Sequence, residues 1–230
     1  MKKKIIITGA LGYIGTELCK LYSGFSWKYE VVAIDNRFIS ERVNELKRRK
    51  IKFIQADILN LEQIKPYIKE AEIVHHLAGI TDVAYVKKES DKAKDELTAA
   101  VAIKGTENVL STMNSNAKIV FPSTHVVFEG LNEMKENIDE NESTSAFLTY
   151  STSKIENEKQ IINSGKKYAI FRLGSVYGFS TDTMRINIMP NLFSKIASQN
   201  GKIKLFGGGS QLKSLVPLID VARCFKFVEE

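Results

Sequence analysis

Cysteine is scarce in this chain, with two among 230 residues, and so are long apolar runs. Cys19 and Cys224 sit far apart in apolar helical patterns, so two free, buried thiols in a reducing compartment are expected, and a disulfide framework is not. No apolar run is long enough to span a bilayer. The start, MKKKIIITGA, has a charged flank, but its apolar run ends after three isoleucines, too short for the core of a signal peptide. A cytoplasmic protein is therefore expected. Internal repeats, low-complexity tracts and long linkers are lacking as well. Lys and Arg outnumber Asp and Glu by 33 to 27, but the basic residues are dispersed along the chain. Such a balance gives a mild attraction for anionic ligands and argues against a nucleic-acid partner, which needs a clustered basic face. No metal site is expected.

What is present is enough apolar material, 43% of the residues, for one substantial core. Short β-branched runs at Lys4–Thr8, Val31–Asp35, Lys52–Gln55, Ile73–His76, Lys118–Pro122 and Ala169–Leu173 lack polar alternation, as strands buried on both faces of a parallel sheet do. Helical patterns fall between them at about Tyr13–Tyr22, Glu41–Arg49, Leu61–Lys69, Ser90–Met113 and Ser151–Asn163. The alternation predicts an α/β fold, a Rossmann-type doubly wound parallel sheet. After Leu173 the pattern changes to a helix near Asn191–Ser198, a short strand at Ile203–Phe206, a glycine-rich turn, the apolar LVPLI segment and a final helix. Residues 1–174 are expected to form the nucleotide-binding domain and 175–230 a small C-terminal substrate lobe. The charged run 86–97 reads as a solvated helix face with opposite charges three and four residues apart.

The stretch TGALGYIG, 8–15, follows the first strand and opens a helix. Gly9, Gly12 and Gly15 allow a tight turn, close backbone approach to a pyrophosphate, and close packing of helix on strand. Asp35 ends the second strand twenty residues after Gly15, where a carboxylate accepts from ribose hydroxyls and repels a 2′-phosphate. That favours NAD over NADP, although Arg37 nearby points the other way. Asp57, after the third strand, either faces the adenine or caps a helix.

Tyr150 and Lys154 in YSTSK are four apart, which stacks them on one helix face. A lysine ammonium there, with a nicotinamide cation, would lower the tyrosine pKa toward a range useful for proton transfer. The stretch FPSTHVVFEG, 121–130, ends a strand with Ser123, Thr124 and His125, then closes on a Glu-Gly turn.

In order and spacing, TGALGYIG, Asp35, HHLAG (75–79), KGTENVL (104–110), PSTHVVF (122–128), YSTSK, RLGSVYG (172–178) and FGGGSQLKSLVPLIDVA (206–222) resemble the extended short-chain dehydrogenases/reductases of the NAD-dependent epimerase/dehydratase type. The resemblance implies an enzyme, an NAD-dependent epimerase or oxidoreductase that acts on a nucleotide sugar through a transient keto intermediate. Tyr150 would be the general base, Lys154 would hold the ribose, and Thr124 would hydrogen-bond the same substrate oxygen. Gly9, Gly12, Tyr13, Ile14, Gly15, Asp35, Asn36, Asp57, Ile58, Leu77, Ala78 and Gly79 would bind NAD with Tyr150 and Lys154. Substrate contacts would come from Thr124, His125, Ser175 and Lys213, and a homodimer is common in such relatives. His75 and His76 read as structural.

The departures narrow this. His125 and Val126 stand where dehydratases of the family carry an Asp-Glu pair, and valine cannot transfer a proton, so that dehydration is not expected. Ala102 replaces a usual asparagine, Ser175 another, and Lys213 an arginine. His125 is either a second acid/base group or a loop residue holding backbone groups. Family members usually continue beyond residue 230, which suggests a reduced lobe or a shortened product. Two other readings stay open: a dehydrogenase or reductase of a smaller hydroxy or keto substrate, and a non-catalytic NAD-binding regulatory protein.

Overall fold

The computed structural model describes residues 2–81, 91–133, 135–210 and 212–228. Six parallel strands form the main sheet: β1 (Lys3–Thr8), β2 (Tyr29–Asp35), β3 (Lys52–Gln55), β4 (Ile73–His76), β5 (Lys118–Thr124) and β6 (Lys167–Leu173), in the spatial order β3-β2-β1-β4-β5-β6. The order reverses beside β1, which pairs with β2 on one side and β4 on the other. In open sheets of this kind ligands gather at the carboxyl ends of the strands around that switch point.

The helices are α1 (Tyr13–Ser23), α2 (Ser40–Arg48), α3 (Leu61–Ile68), α4 (Lys92–Thr112), α5 (Thr149–Asn163), α6 (Met189–Ser198) and α7 (Leu218–Phe227). Side chains alternate across the sheet, so β1 feeds two separate cores. Ile5 and Ile7 pack with Leu18, Tyr22 and Leu46 from α1 and α2, whereas Ile6 packs with Ile64, Val109 and Ile161 from α3, α4 and α5. The first core also takes Val221, Ala222 and Phe225 from α7, which lies against α1. The expected Rossmann-type doubly wound sheet is therefore the architecture found.

Three expectations need correction. Residues 203–205 form no regular element and 206–209 are a 3-10 turn, so the strand at Ile203–Phe206 is not formed. The second sheet is instead a parallel pair, β7 (Ser175–Tyr177) with β8 (Leu215–Pro217). LVPLI splits at Pro217, which ends β8 and, lacking a backbone N–H, starts α7 cleanly. Both cysteines are free as expected, but only Cys19 is buried; Cys224 lies on the outer face of α7. Residues 86–90 of the charged run, including the expected helix start at Ser90, lie outside the described residues; within α4, Lys92 and Glu96 form an i,i+4 pair. Among the described residues no helix is long and apolar enough to cross a membrane.

Candidate functional site

The expected cradle, the loop between β1 and α1, has the close backbone contacts that the glycine spacing requires. Gly9 has φ +66, and a Cβ there would meet the Ala78 backbone nitrogen at 2.7 Å. A side chain at Gly15 would run into the Gly9 carbonyl. Gly12 caps α1 without a side chain, and the first turn of α1 holds no acidic residue, which leaves its N–H groups and partial positive charge open toward the cradle. Ile14 packs against the first core and the Tyr13 hydroxyl donates to the Gly178 carbonyl, tying α1 to the end of β7.

Asp35 is buried at the tip of β2. One carboxylate oxygen accepts from the Leu11 N–H at 3.0 Å, and the other from the Arg37 N–H at 3.1 Å and the Arg37 Nε at 3.2 Å. The aspartate thus braces the glycine loop and holds the arginine that the sequence set against it. Beyond it an open pocket of about 330 Å³ is lined by Asn36, Gln55, Ala56, Asp57 and Gln63. Asp57 accepts from Asn36 Nδ2 and from the Leu59 N–H, while the cap of α3 is Asn60, which accepts from the Gln63 N–H. Of the two roles open to Asp57, the helix cap is taken by its neighbour. Ile58 points into the second core, and Asn108 donates to its carbonyl at 2.9 Å.

A second groove opens where β4 ends, between Ala78, Gly79, Ile80 and the face of α5 carrying Tyr150, Ser153 and Lys154. Helix α5 begins two residues before its expected start, so Tyr150 lies inside its first turn. The side chain of Thr124, at the carboxyl end of β5, lies close enough to the phenol to lower its pKa. Lys154, one turn along, donates to the Pro122 carbonyl at 2.8 Å, and its Nζ lies 5.8 Å from the Tyr150 ring centroid. Thr124, Tyr150 and Lys154 are thus brought together.

The electrostatics differ from expectation. Burial raises the Tyr150 pKa; the opposing influences are the Arg185 charge and the Thr124 side chain. Lys154 is itself pulled down to about 8, by burial, with Glu158 acting the other way. An ammonium seated against a carbonyl and a Phe121 ring 4.3 Å away is directed at the strand, not at the phenol. Arg185 carries no sequence signal because it lies in irregular chain before α6; its Nη2 donates to the Thr81 carbonyl at 3.1 Å, across the mouth of the groove.

His125 turns away from this cluster. Its Nδ1 lies 2.9 Å from the Leu173 carbonyl, an acceptor, so that nitrogen carries the proton and the ring clips the ends of β5 and β6 together. The reading as a loop residue holding backbone groups is the one the geometry matches. Ser175 lies in β7 with its N–H on the Ser214 carbonyl, and Lys213 is exposed in the segment leading to β8. At Ala102, where the resemblance implied an asparagine, the backbone carbonyl accepts from Asn157 Nδ2 of α5 at 2.9 Å, and Asn157 also donates to Thr106 Oγ1 at 3.0 Å.

His75 and His76 are buried, and burial holds both imidazoles down to about 3. His75 Nε2 meets the Tyr22 hydroxyl at 2.7 Å while its Nδ1 has no partner. His76 bridges Thr8 and Thr106, at 3.0 Å on each side, and Thr8 Oγ1 accepts in turn from the Ala78 N–H.

Comparison with known proteins agrees with the fold. The profile of the NAD dependent epimerase/dehydratase family matches residues 5–230. A putative UDP-glucose 4-epimerase of Methanocaldococcus jannaschii is 28% identical over 228 residues, covering 95% of this chain and 71% of that protein. The crystal structure of a UDP-glucose 4-epimerase of Thermotoga maritima with UDP-glucose superposes with a TM-score of 0.83 at 23% identity, covering 99% of this chain and 73% of the other. A UDP-glucuronic acid 4-epimerase of Bacillus cereus, in complex with UDP-glucuronic acid and NAD, gives a TM-score of 0.80 at 24% identity, covering 99% and 73%.

Proposed function

We propose, since this chain belongs to the NAD dependent epimerase/dehydratase family, that it is an NAD-dependent epimerase or oxidoreductase of a nucleotide sugar in which Tyr150 is the general base. The observation that carries this reading is the grouping of Tyr150 and Lys154 on one face of α5, with Thr124 beside the phenol at the carboxyl end of β5 and the groove under Ala78 and Gly79 next to them.

The cradle fits the dinucleotide: a Cβ at Gly9 would fill the space where the loop approaches Ala78, and Asp35 stands at the end of β2 where a ribose would lie. Gly9, Gly12, Tyr13, Ile14 and Gly15 would line the pyrophosphate side, Asp35, Asn36, Asp57 and Ile58 the adenosine side, and Leu77, Ala78 and Gly79 the nicotinamide side. When bound, NAD supplies a reversible acceptor of hydride from the sugar carbon.

The chain's own residues handle the proton and the geometry. Thr124 and Tyr150 hold one substrate oxygen between them, at C4 of the sugar in our reading, and the phenolate takes its proton as the carbonyl forms. Thr124 favours the phenolate before substrate arrives and then turns its single O–H to the substrate oxygen, while Arg185 favours the phenolate by charge. Tyr150 later returns the proton to the same oxygen; if the sugar has presented its other face, the net result is epimerisation. Val126 offers no proton-transfer group beside this oxygen, which argues against dehydration. In this proposal residues 1–174 bind the cofactor and residues 175–230 form the substrate side, with Ser175 and Lys213 facing the nucleotide.

The test is Tyr150→Phe. Turnover should fall by about 10²–10⁴-fold while NAD affinity changes little, and an unchanged rate would remove Tyr150 from its role. A thermal-shift panel of UDP-, dTDP-, GDP- and CDP-sugars with NAD present selects the substrate. Net gain of NADH absorbance then separates a dehydrogenase from an epimerase, which shows none.

A further inference from the structure

The Glu-Gly turn that closes FPSTHVVFEG has no part in the mechanism above, yet it reaches the catalytic helix. Glu129 Oε1 accepts from the Phe147 N–H at 3.1 Å, from the Leu148 N–H at 2.9 Å, and from the Ser151 hydroxyl. Gly130 completes the clip. Its N–H donates to the Ser145 carbonyl at 2.6 Å, and a Cβ at Gly130 would meet that same oxygen at 2.6 Å. The Ser145 N–H donates back to the Val127 carbonyl at 2.8 Å. A short segment at the end of β5 is thereby laced to the residues that lead into α5.

Helix α5 needs this help at one place. Its N-cap is Leu148, which has no side-chain oxygen, and its first turn contains no acidic residue. The first N–H groups of a helix have no partners within it, so an uncapped first turn frays. The other polar pins of α5 lie at or beyond Lys154: Lys154 to the Pro122 carbonyl, Asn157 to the Ala102 carbonyl, and Glu158 to Ser123 and Arg172. Tyr150 precedes them all. The Glu129 carboxylate accepts from the N–H of the N-cap residue Leu148 and from the Ser151 hydroxyl of the first turn, and sets a negative charge against the positive end of the helix.

We propose that Glu129 is the positioning residue for Tyr150: its carboxylate caps the first turn of α5 and so holds the phenol against the Thr124 hydroxyl. The catalytic consequence rests on the reading of Tyr150 as base, whereas the capping does not. The groups that act on the phenol are Thr124 from β5 and Arg185 from the segment before α6, while Lys154 of its own helix lies 5.8 Å from the ring and is turned to the Pro122 carbonyl. Loss of the cap loosens the contact with Thr124, which opposes the effect of burial, so the Tyr150 pKa should climb.

The experiment compares Glu129→Ala and Glu129→Gln with the wild type. Protein labelled with 13C at tyrosine Cζ is titrated by NMR, with Tyr150 assigned through Tyr150→Phe, and the pH profile of turnover is measured with NAD and UDP-glucose. Glu129→Ala should raise the Tyr150 midpoint by about 0.5–1 on the pH scale. The rising limb of kcat should move by the same amount, with KM for UDP-glucose unchanged. Glu129→Gln keeps an oxygen for the Leu148 N–H and should restore most of the wild-type midpoint. A Glu129→Ala protein that melts earlier with the Tyr150 midpoint unmoved overturns the proposal, because a purely structural cap would do that. If Glu129→Ala does not fold, Ser151→Ala removes one of the three contacts and should raise the midpoint in the same sense; no movement there overturns the proposal too. Should UDP-glucose not turn over in the wild type, a higher NMR midpoint still supports the cap, and the substrate reading alone is what fails.

Discussion

Lys154 donates to the carbonyl oxygen of Pro122 at 2.8 Å, two residues before Thr124 on the same strand. This bond is one of the ties that set the height of α5 against the end of β5, and Tyr150 lies one turn toward the N-terminus from it. The ammonium is held in a setting that favours its neutral form, since burial pulls it to about 8.

Stability should consequently increase with pH above 8 through this residue. The folded pKa lies below the unfolded value of 10.5, so between the two the unfolded chain binds more protons and the native state gains as pH rises. Urea midpoints of the wild type and Lys154→Met at pH 8 and pH 10 check this. The wild type should gain relative to the variant by on the order of 1–3 kcal/mol across that window. Turnover by Lys154→Met should fall by about a hundredfold or more.

The buried histidines act at the other end of the scale. His75 and His76 stay neutral in the folded chain down to about 3, against 6.5 when unfolded. Their contribution is complete above pH 6.5 and is lost progressively as pH falls toward 3, because the unfolded chain takes up protons that the native interior refuses. Chemical denaturation from pH 7 to pH 4 should show a steep loss, and His75→Phe, which also removes an unpartnered nitrogen, should flatten it. His76→Phe should flatten it too, but at a cost of about 1–3 kcal/mol at pH 7, because Thr8 and Thr106 lose their shared partner.

Arg185 should matter for rate more than for stability. It is one of two groups that favour the Tyr150 phenolate against burial. Arg185→Gln can still donate to the Thr81 carbonyl but carries no charge. Its rising limb of kcat should move to higher pH, and the rate measured at pH 7 should fall roughly tenfold for every pH unit that the limb moves. An unmoved limb would show that the charge is screened by the bound substrate.

The main sheet was legible because burial on both faces leaves strands without polar residues, and runs such as Ile5–Ile7 carry that mark directly. The cradle was legible for a related reason, since close backbone approach demands glycine at stated positions. The second sheet was not: Ser175–Tyr177 and Leu215–Pro217 are three residues each and forty apart, too short for a period to emerge. Ile203–Phe206 alternates suitably for a strand but finds no edge to pair with, and a strand is defined by its neighbour. At the site, Thr124, Tyr150 and Lys154 could be named through the family resemblance of their motifs, whereas Arg185, Glu129 and Asn157 could not. Each of these acts across a gap in sequence, on the Thr81 carbonyl, the Leu148 N–H and the Ala102 carbonyl, and backbone groups leave no trace in residue identity.

The placement of Phe225 has a consequence for how the molecule comes apart. Its ring stacks beside His75 of β4 and against Phe171 of β6, inside the core that Ile5 and Ile7 of β1 also line. Helix α7 thus closes a hydrophobic layer opened by the first strand, after the chain has left to form the second sheet and returned. Peeling α7 away would expose the underside of that layer, so α7 and β1 should lose structure in a single cooperative transition. Hydrogen exchange in α7 should then track global unfolding rather than local opening.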